Sequence, residues 1–165
     1  EKIAKSKKNN NGVYLVPAFT GLGAPYWSPN SRGVLSGLTR STDWQNIVRA
    51  TIESVAYQSF DLFKAMNKDG LKPRVVKVDG GMVVNNWFSQ FLSDILNIKV
   101  IRSKINETTA LGAAFIAGLY IGEFNSLKSI SKIWKINKTF RPNIKKSSRI
   151  KLLKGWEQAI KKTLI

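Results

Sequence analysis

Two adjacent glycines and a nearby asparagine are the residues of this chain best placed to contact a ligand. The segment Val75–Gly81 joins a run of β-branched residues to an aspartate and two glycines, and Asn85 follows four residues later. Two glycines at a strand end let the backbone turn through left-handed angles and leave no side chain to keep a flat ligand away. The pattern therefore predicts a turn at which a nucleotide can approach the main chain closely.

The neighbouring sequence predicts the elements that would position these residues. Pro73 precedes a strand from Arg74 to Val78, followed by a helix from about Asn85 to Leu96 and a strand from Lys99 to Arg102. The glycines would then lie at the carboxyl end of a strand, where open α/β sheets bind ligands, and the helix start adds free backbone donors. A purely structural role stays open, in which the glycines make a tight turn and Asn85 caps the helix.

Two carboxylates near this region are expected to be structural. Glu107 precedes a helix and is stabilised there by the helix dipole, so we expect a structural rather than a catalytic role. Asp94 falls in the last turn of its helix, where the dipole disfavours an anion, and it therefore needs a donor partner.

Upstream of this region the sequence predicts one long helix. Thr42 and Gln45 fit a capping box, and Gly70 lies where the helix should stop. The apolar residues that recur at helical spacing are Trp44, Val48, Ile52, Val55, Leu62 and Met66. The order helix, strand, helix, strand, helix predicts an α/β fold with a mainly parallel sheet flanked by helices.

Several segments together resemble the FGGY family of carbohydrate kinases. Val75–Asn85 and Glu107–Ala114 resemble the adenosine-binding half of the superfamily that contains sugar kinases, heat-shock chaperones and actin. Gly33–Leu38, followed by Asn46-Ile47 and Ala50–Glu53, is similar to the second FGGY signature. Pro17–Trp27 resembles the branch of the family that phosphorylates glycerol, since other members tend to carry Gly-Glu-Arg in place of Gly21-Leu22-Gly23.

The resemblance implies an incomplete ribonuclease-H-like domain of the actin-like ATPase superfamily. It divides the chain into a Lys-rich linker remnant (1–12), a partial C-terminal FGGY kinase domain (13–142) and a C-terminal amphipathic helix packed on that domain (143–165). It also implies ATP or ADP as the cofactor, with Gly80, Gly81 and Asn85 as the binding residues. Gly81 would approach the nucleotide through its backbone and Asn85 through its side-chain amide.

The implied reaction is transfer of the γ-phosphoryl group of ATP to glycerol, giving sn-glycerol 3-phosphate with the help of Mg²⁺. In that family the catalytic aspartate, the glycerol contacts and the metal ligands belong to sequence that precedes this segment. No catalytic residue and no metal ligand is therefore assigned here. The missing N-terminal portion of the same enzyme would be a partner, a homo-oligomer stays open, and the chain alone should be inactive.

Composition narrows the classes of protein further. The 165 residues are 43% hydrophobic and contain neither Cys nor His, which argues against disulfide scaffolds and zinc or copper sites. No apolar run approaches the roughly 18 residues of a membrane span, and Glu1–Lys5 is not a signal peptide, so a cytoplasmic location is expected.

The net charge of +17 and the C-terminal segment each fit more than one function. The positive residues are mostly scattered lysines without a recognition motif, so we favour a compositional bias over a basic nucleic-acid-binding module. A non-catalytic remnant of a sugar kinase is a further alternative.

In the last segment, apolar residues such as Trp156 alternate with lysines, which fits a helix packed on its own domain better than one on a membrane surface.

Overall fold

Helices alternate with short strands along the chain, as the computed structural model describes it for residues 1–105 and 107–164. The helices are α1 (Lys2–Ser6), α2 (Trp44–Lys68), α3 (Asn86–Leu96), α4 (Thr108–Tyr120), α5 (Leu127–Ser131) and α6 (Lys146–Thr163). The strands are β1 (Tyr14–Val16), β2 (Val34–Ser36), β3 (Val75–Val78), β4 (Lys99–Ser103) and β5 (Ile136–Phe140), and a 3-10 helix spans Gly81–Val84.

The described strands form two small sheets, one mixed and one antiparallel. β3 pairs with β4 in parallel, with Val78 opposite Arg102, and β4 pairs with β5 in the antiparallel direction. β1 and β2 form a separate antiparallel pair. The predicted α/β class is confirmed, but the expectation of a mainly parallel sheet is corrected. Although α4 and α5 lie between β4 and β5, β5 returns antiparallel to β4, so the three-stranded sheet is mixed.

Aromatic side chains from α2, α3 and α6 form the centre of the core. Tyr57 stacks on Trp156 with ring centroids 5.2 Å apart and meets Phe91 edge-on at 5.6 Å. Trp156 is only 1% exposed, and α6 packs against β1, β2 and α3. Burial of these large rings, together with Ala159 and Ile160, stabilises the packing of the C-terminal helix on the rest of the chain.

The start of α2 differs from the prediction by one residue. Asp43, not Thr42, is the N-cap, and its carboxylate accepts from the Asn46 backbone N–H at 2.9 Å while the Asn46 side chain accepts from Asp43 N–H at 3.1 Å. Trp44 is the first residue of α2 and its side chain is 61% exposed, although it belongs to the apolar spacing that predicted the helix.

Residues 1–12, predicted to be a linker remnant, contain a short helix packed against α2. Ala4 is fully buried, and the Arg49 guanidinium donates to the backbone carbonyls of Ala4, at 2.9 Å, and of Lys7. Lys7 in turn forms an ion pair with Asp43. The sequence of residues 1–12 did not predict this contact, because Arg49, which binds the segment, lies far away in sequence.

Two apolar surfaces are left open in the described part of the chain. β3 is an edge strand, with no described partner on its second side, and Val75 is exposed. α4 makes no extensive contact with another described helix or strand, and Ile116 and Tyr120 are 72% and 92% exposed. Among the described helices, none combines the length and the apolar character that crossing a membrane would require.

Candidate functional site

Gly80 and Gly81 form an open corner directly after β3. Gly80 adopts φ 87° and ψ 174°, a conformation that side chains strongly disfavour, and Gly81 starts the 3-10 helix. A Cβ atom built on either glycine would meet no other atom within 4 Å. The corner is therefore free of neighbouring bulky groups, and a ligand could contact the main chain directly.

Asn85 closes the same short segment and begins α3. Its backbone N–H donates to the Met82 carbonyl at 3.2 Å, and its side-chain oxygen caps the helix by accepting from Phe88 N–H at 3.1 Å. The Asn85 side-chain NH₂ group makes no hydrogen bond to the described residues, so its two donors are available to a ligand. Asn85 can thus serve as a cap and as a ligand contact together.

Arg102 holds this segment in position, which the sequence analysis did not predict. From β4 its guanidinium donates to the carbonyls of Val83 at 2.7 Å and Val84 at 2.9 Å, and to the Asn86 side chain at 3.1 Å. Ser89, which is fully buried, also donates to the Val83 carbonyl at 2.8 Å. The main chain between Gly81 and α3 is therefore fixed by bonds from two different elements.

Asp94 and Glu107, the two carboxylates discussed in the sequence analysis, lie in structural positions. Asp94 accepts from the Gln90 side chain at 3.0 Å and from the Asn143 backbone N–H at 2.7 Å, which supplies the expected donors. Glu107 is the N-cap residue of α4, but its side chain makes no capping hydrogen bond. Among the described residues, neither carboxylate forms a hydrogen bond to Gly80, Gly81 or Asn85.

Two carboxyl groups with raised pKa values lie on α2, in the core. Burial raises the pKa of the Glu53 and Asp61 carboxyls, although Arg49 donates to Glu53 at 2.7 Å and Trp156 to Asp61 at 2.7 Å. Both carboxylates lie on the buried side of α2, where they accept hydrogen bonds from neighbouring core residues. Within residues 1–105 and 107–164, no three His, Cys, Asp or Glu side chains lie close enough together to hold a metal ion.

Gly80 and Gly81 lie at the carboxyl end of the parallel strand β3, which is the end at which open α/β sheets bind ligands. A family model described as the FGGY family of carbohydrate kinases, C-terminal domain, matches residues 1–121. The chain belongs to this family, and the predicted resemblance is confirmed.

Curated relatives narrow the similarity to one branch of the family. The chain is 52% identical over 164 residues to the glycerol kinase of Coxiella burnetii strain RSA 493, covering 99% of this chain and 33% of that protein. It is 49% identical over 162 residues to glycerol kinase 1 of Pseudomonas aeruginosa PAO1, covering 98% and 33%. The chain thus spans about a third of the length of these relatives.

Solved structures agree with this assignment of the fold. Plasmodium falciparum glycerol kinase, solved with ADP, superposes with a TM-score of 0.85 at 38% identity, covering 99% of this chain and 33% of that one. A ligand-bound xylulose kinase from Lactobacillus acidophilus reaches a TM-score of 0.77 at 24% identity, covering 97% and 32%, and supports the fold alone.

Proposed function

We propose that this chain is the nucleotide-binding C-terminal portion of a glycerol kinase. The complete enzyme would transfer the γ-phosphoryl group of ATP to glycerol and release sn-glycerol 3-phosphate and ADP. The observation that carries the proposal is identity of about half of the residues, over nearly the whole chain, to glycerol kinases. The cytoplasm is the location proposed for it.

The glycine corner is the proposed place for the nucleotide. Gly80 and Gly81 offer an unobstructed main chain, and Asn85 offers a side-chain NH₂ group beside it. These groups would contact the base and ribose, while Arg102 and Ser89 keep the segment in place. The similarity to a glycerol kinase solved with ADP supports this choice of ligand.

Transfer itself requires groups that we place in the rest of the enzyme. Phosphoryl transfer depends on alignment of the two reactants and on neutralising the phosphate charge, for which kinases use Mg²⁺. The described residues include no cluster suited to hold that ion, so we propose that the N-terminal portion binds it together with glycerol. This chain would bind and orient ADP or ATP.

Titration of ADP into the chain by isothermal calorimetry tests the nucleotide site. We expect binding by the unchanged chain and its loss in Gly81→Val, because the added branches would occupy the space of the approaching nucleotide. Gly81 has an ordinary φ and empty space around it, so valine there should leave the fold intact.

Gly23→Val is the matched control, because Gly23 also has empty space around it and an ordinary φ. Equal ADP affinity in both variants and the unchanged chain would contradict the site. Co-expression with the N-terminal portion of a related glycerol kinase, followed by assay of glycerol 3-phosphate, tests the reaction separately. A complex that binds ADP without forming product would identify a non-catalytic remnant instead.

A further inference from the structure

A separate cavity lies between α3 and the start of α6, and nothing in the proposed function uses it. The cavity has a volume of about 660 Å³, within the usual range of small-molecule sites. Its walls come from the loop before β1, from α2, from α3 and from the first turns of α6. Gly80, Gly81 and Asn85 do not line it.

Aromatic rings give this cavity a flat apolar wall. Trp87 and Phe91 of α3 are stacked, with ring centroids 5.1 Å apart and planes 10° from parallel, and Tyr14 completes the wall. The Arg49 guanidinium carbon lies 4.7 Å from the Trp87 ring centroid and helps to fix that ring. Such a wall suits a ligand with a planar apolar body.

Two lysines at the cavity carry charge that no described residue neutralises. Lys8 and Lys151 are exposed, line the cavity and form no ion pair within residues 1–105 and 107–164. Of the other charged groups of the lining, Arg49 is paired, while the Asp94 carboxylate keeps its negative charge because its donors are neutral; Lys8 and Lys151 outnumber it. Arg49 pairs with Glu53, and Asp94 accepts from Gln90 and from Asn143 N–H.

The start of α6 adds to the positive character of the cavity. The N-cap residue Lys145 makes no side-chain capping bond, and the first turn of α6 contains no acidic residue. The backbone donors of this turn are therefore not satisfied by a capping side chain, and Ser148 of the same turn lines the cavity. An anionic group near Ser148 would meet these donors and the Lys151 ammonium.

We propose that this cavity binds a small organic anion, consisting of a planar apolar body with one carboxylate or phosphate group. The body packs against Trp87 and Phe91, and the anionic group pairs with Lys8 and Lys151. The apolar wall selects against inorganic anions, and the lysines select against neutral aromatic compounds.

Calorimetric titration of phenyl phosphate into the 165-residue chain tests this site. Phenyl phosphate should bind, while benzyl alcohol and inorganic phosphate, each lacking one half of the ligand, should bind much more weakly. The double variant Lys8→Gln/Lys151→Gln should weaken binding about tenfold, as expected for the loss of two exposed ion pairs. Both lysines are exposed and unpaired, so their replacement should leave the melting temperature unchanged.

The control variant Lys132→Gln/Lys162→Gln removes the same charge from exposed lysines outside the cavity and should bind as the unchanged chain does. Gly81→Val should also retain binding, which separates this cavity from the nucleotide site. Absence of binding, equal binding of inorganic phosphate, or equal weakening by both double variants would overturn the proposal.

Discussion

The indole Nε1 of Trp156 donates a hydrogen bond of 2.7 Å to Oδ2 of Asp61, joining the C-terminal helix to the middle of α2. Both side chains are nearly inaccessible, with Trp156 1% and Asp61 7% exposed. A buried carboxylate without a donor is costly, so this single bond affects the stability of two helices at once.

Trp156→Phe should lower the free energy of unfolding by about 1–3 kcal/mol, because phenylalanine keeps most of the apolar contact and leaves Asp61 without its indole donor. Urea denaturation followed by circular dichroism measures the change. Trp44→Phe is the control, since Trp44 is 61% exposed and should tolerate the same substitution. An equally stable Trp156→Phe variant would contradict a structural role for the bond.

Asp61→Asn should change how stability depends on pH. Burial raises the pKa of the Asp61 carboxyl above that of the unfolded chain, so its protonation favours folding. This contribution is complete below the unfolded pKa of about 4 and is lost as the pH rises through the folded pKa. Asparagine keeps an acceptor for Trp156 and does not titrate.

The stability of Asp61→Asn relative to the unchanged chain should therefore rise between about pH 3 and about pH 7. Urea titrations of both proteins at the two pH values measure it. Glu53, whose pKa is also raised by burial, is present in both proteins and cancels in the comparison. A relative stability that stays constant with pH would show that Asp61 has the same pKa in both states.

Arg49→Met should destabilise the chain by about 3–5 kcal/mol, because it leaves the fully buried Glu53 carboxylate without a cation. It also removes the donors that bind α1 through the Ala4 and Lys7 carbonyls. Adding Glu53→Gln should recover part of the loss in thermal melting. Lys161→Met breaks an exposed pair of the same spacing with Glu157 and should cost less than about 1 kcal/mol.

Arg102→Lys should loosen the segment between Gly81 and α3, because a single ammonium cannot replace the guanidinium contacts to Val83, Val84 and Asn86. ADP affinity should fall about tenfold, and hydrogen exchange of residues 81–86 should accelerate. Arg40→Lys, at an exposed arginine, is the control. Unchanged exchange in Arg102→Lys would contradict a positioning role.

The open apolar surface of α4 should cause self-association of this chain in solution. Tyr120→Lys should lower the average mass measured by light scattering at high concentration, because it places a charge on the most exposed aromatic residue. Asn67→Lys adds the same charge to an exposed polar position of α2 and should have no effect. A monomer with Tyr120 unchanged would contradict the expectation.

Local sequence signals predicted the elements around the site well. Asn85 caps α3, as its place at the predicted helix start suggested, because a capping side chain acts within its own turn. The strand predicted from Lys99 to Arg102 extends to Ser103 in the structure. These features depend on neighbours in sequence.

Features that depend on distant residues could not be predicted in the same way. The bond from Arg102 to the Val83 carbonyl requires the register that pairs Arg102 with Val78, and a single sequence does not specify that register. The docking of α1 likewise depends on Arg49, and β5 carries three consecutive polar residues, Asn137 to Thr139, which fit an exposed edge as well as a loop. That Gly80, Gly81 and Asn85 bind nucleotide stays a prediction.

Arg102 also donates to the Asn137 side chain of β5, at 3.0 Å from Nε and 2.8 Å from Nη2. The Arg102 guanidinium therefore connects the edge strand β5 to the segment between Gly81 and α3. Neither can move relative to the other without breaking hydrogen bonds to Arg102. Displacement of β5 would therefore also disturb the main chain between Gly81 and α3, because both are bonded to the same guanidinium.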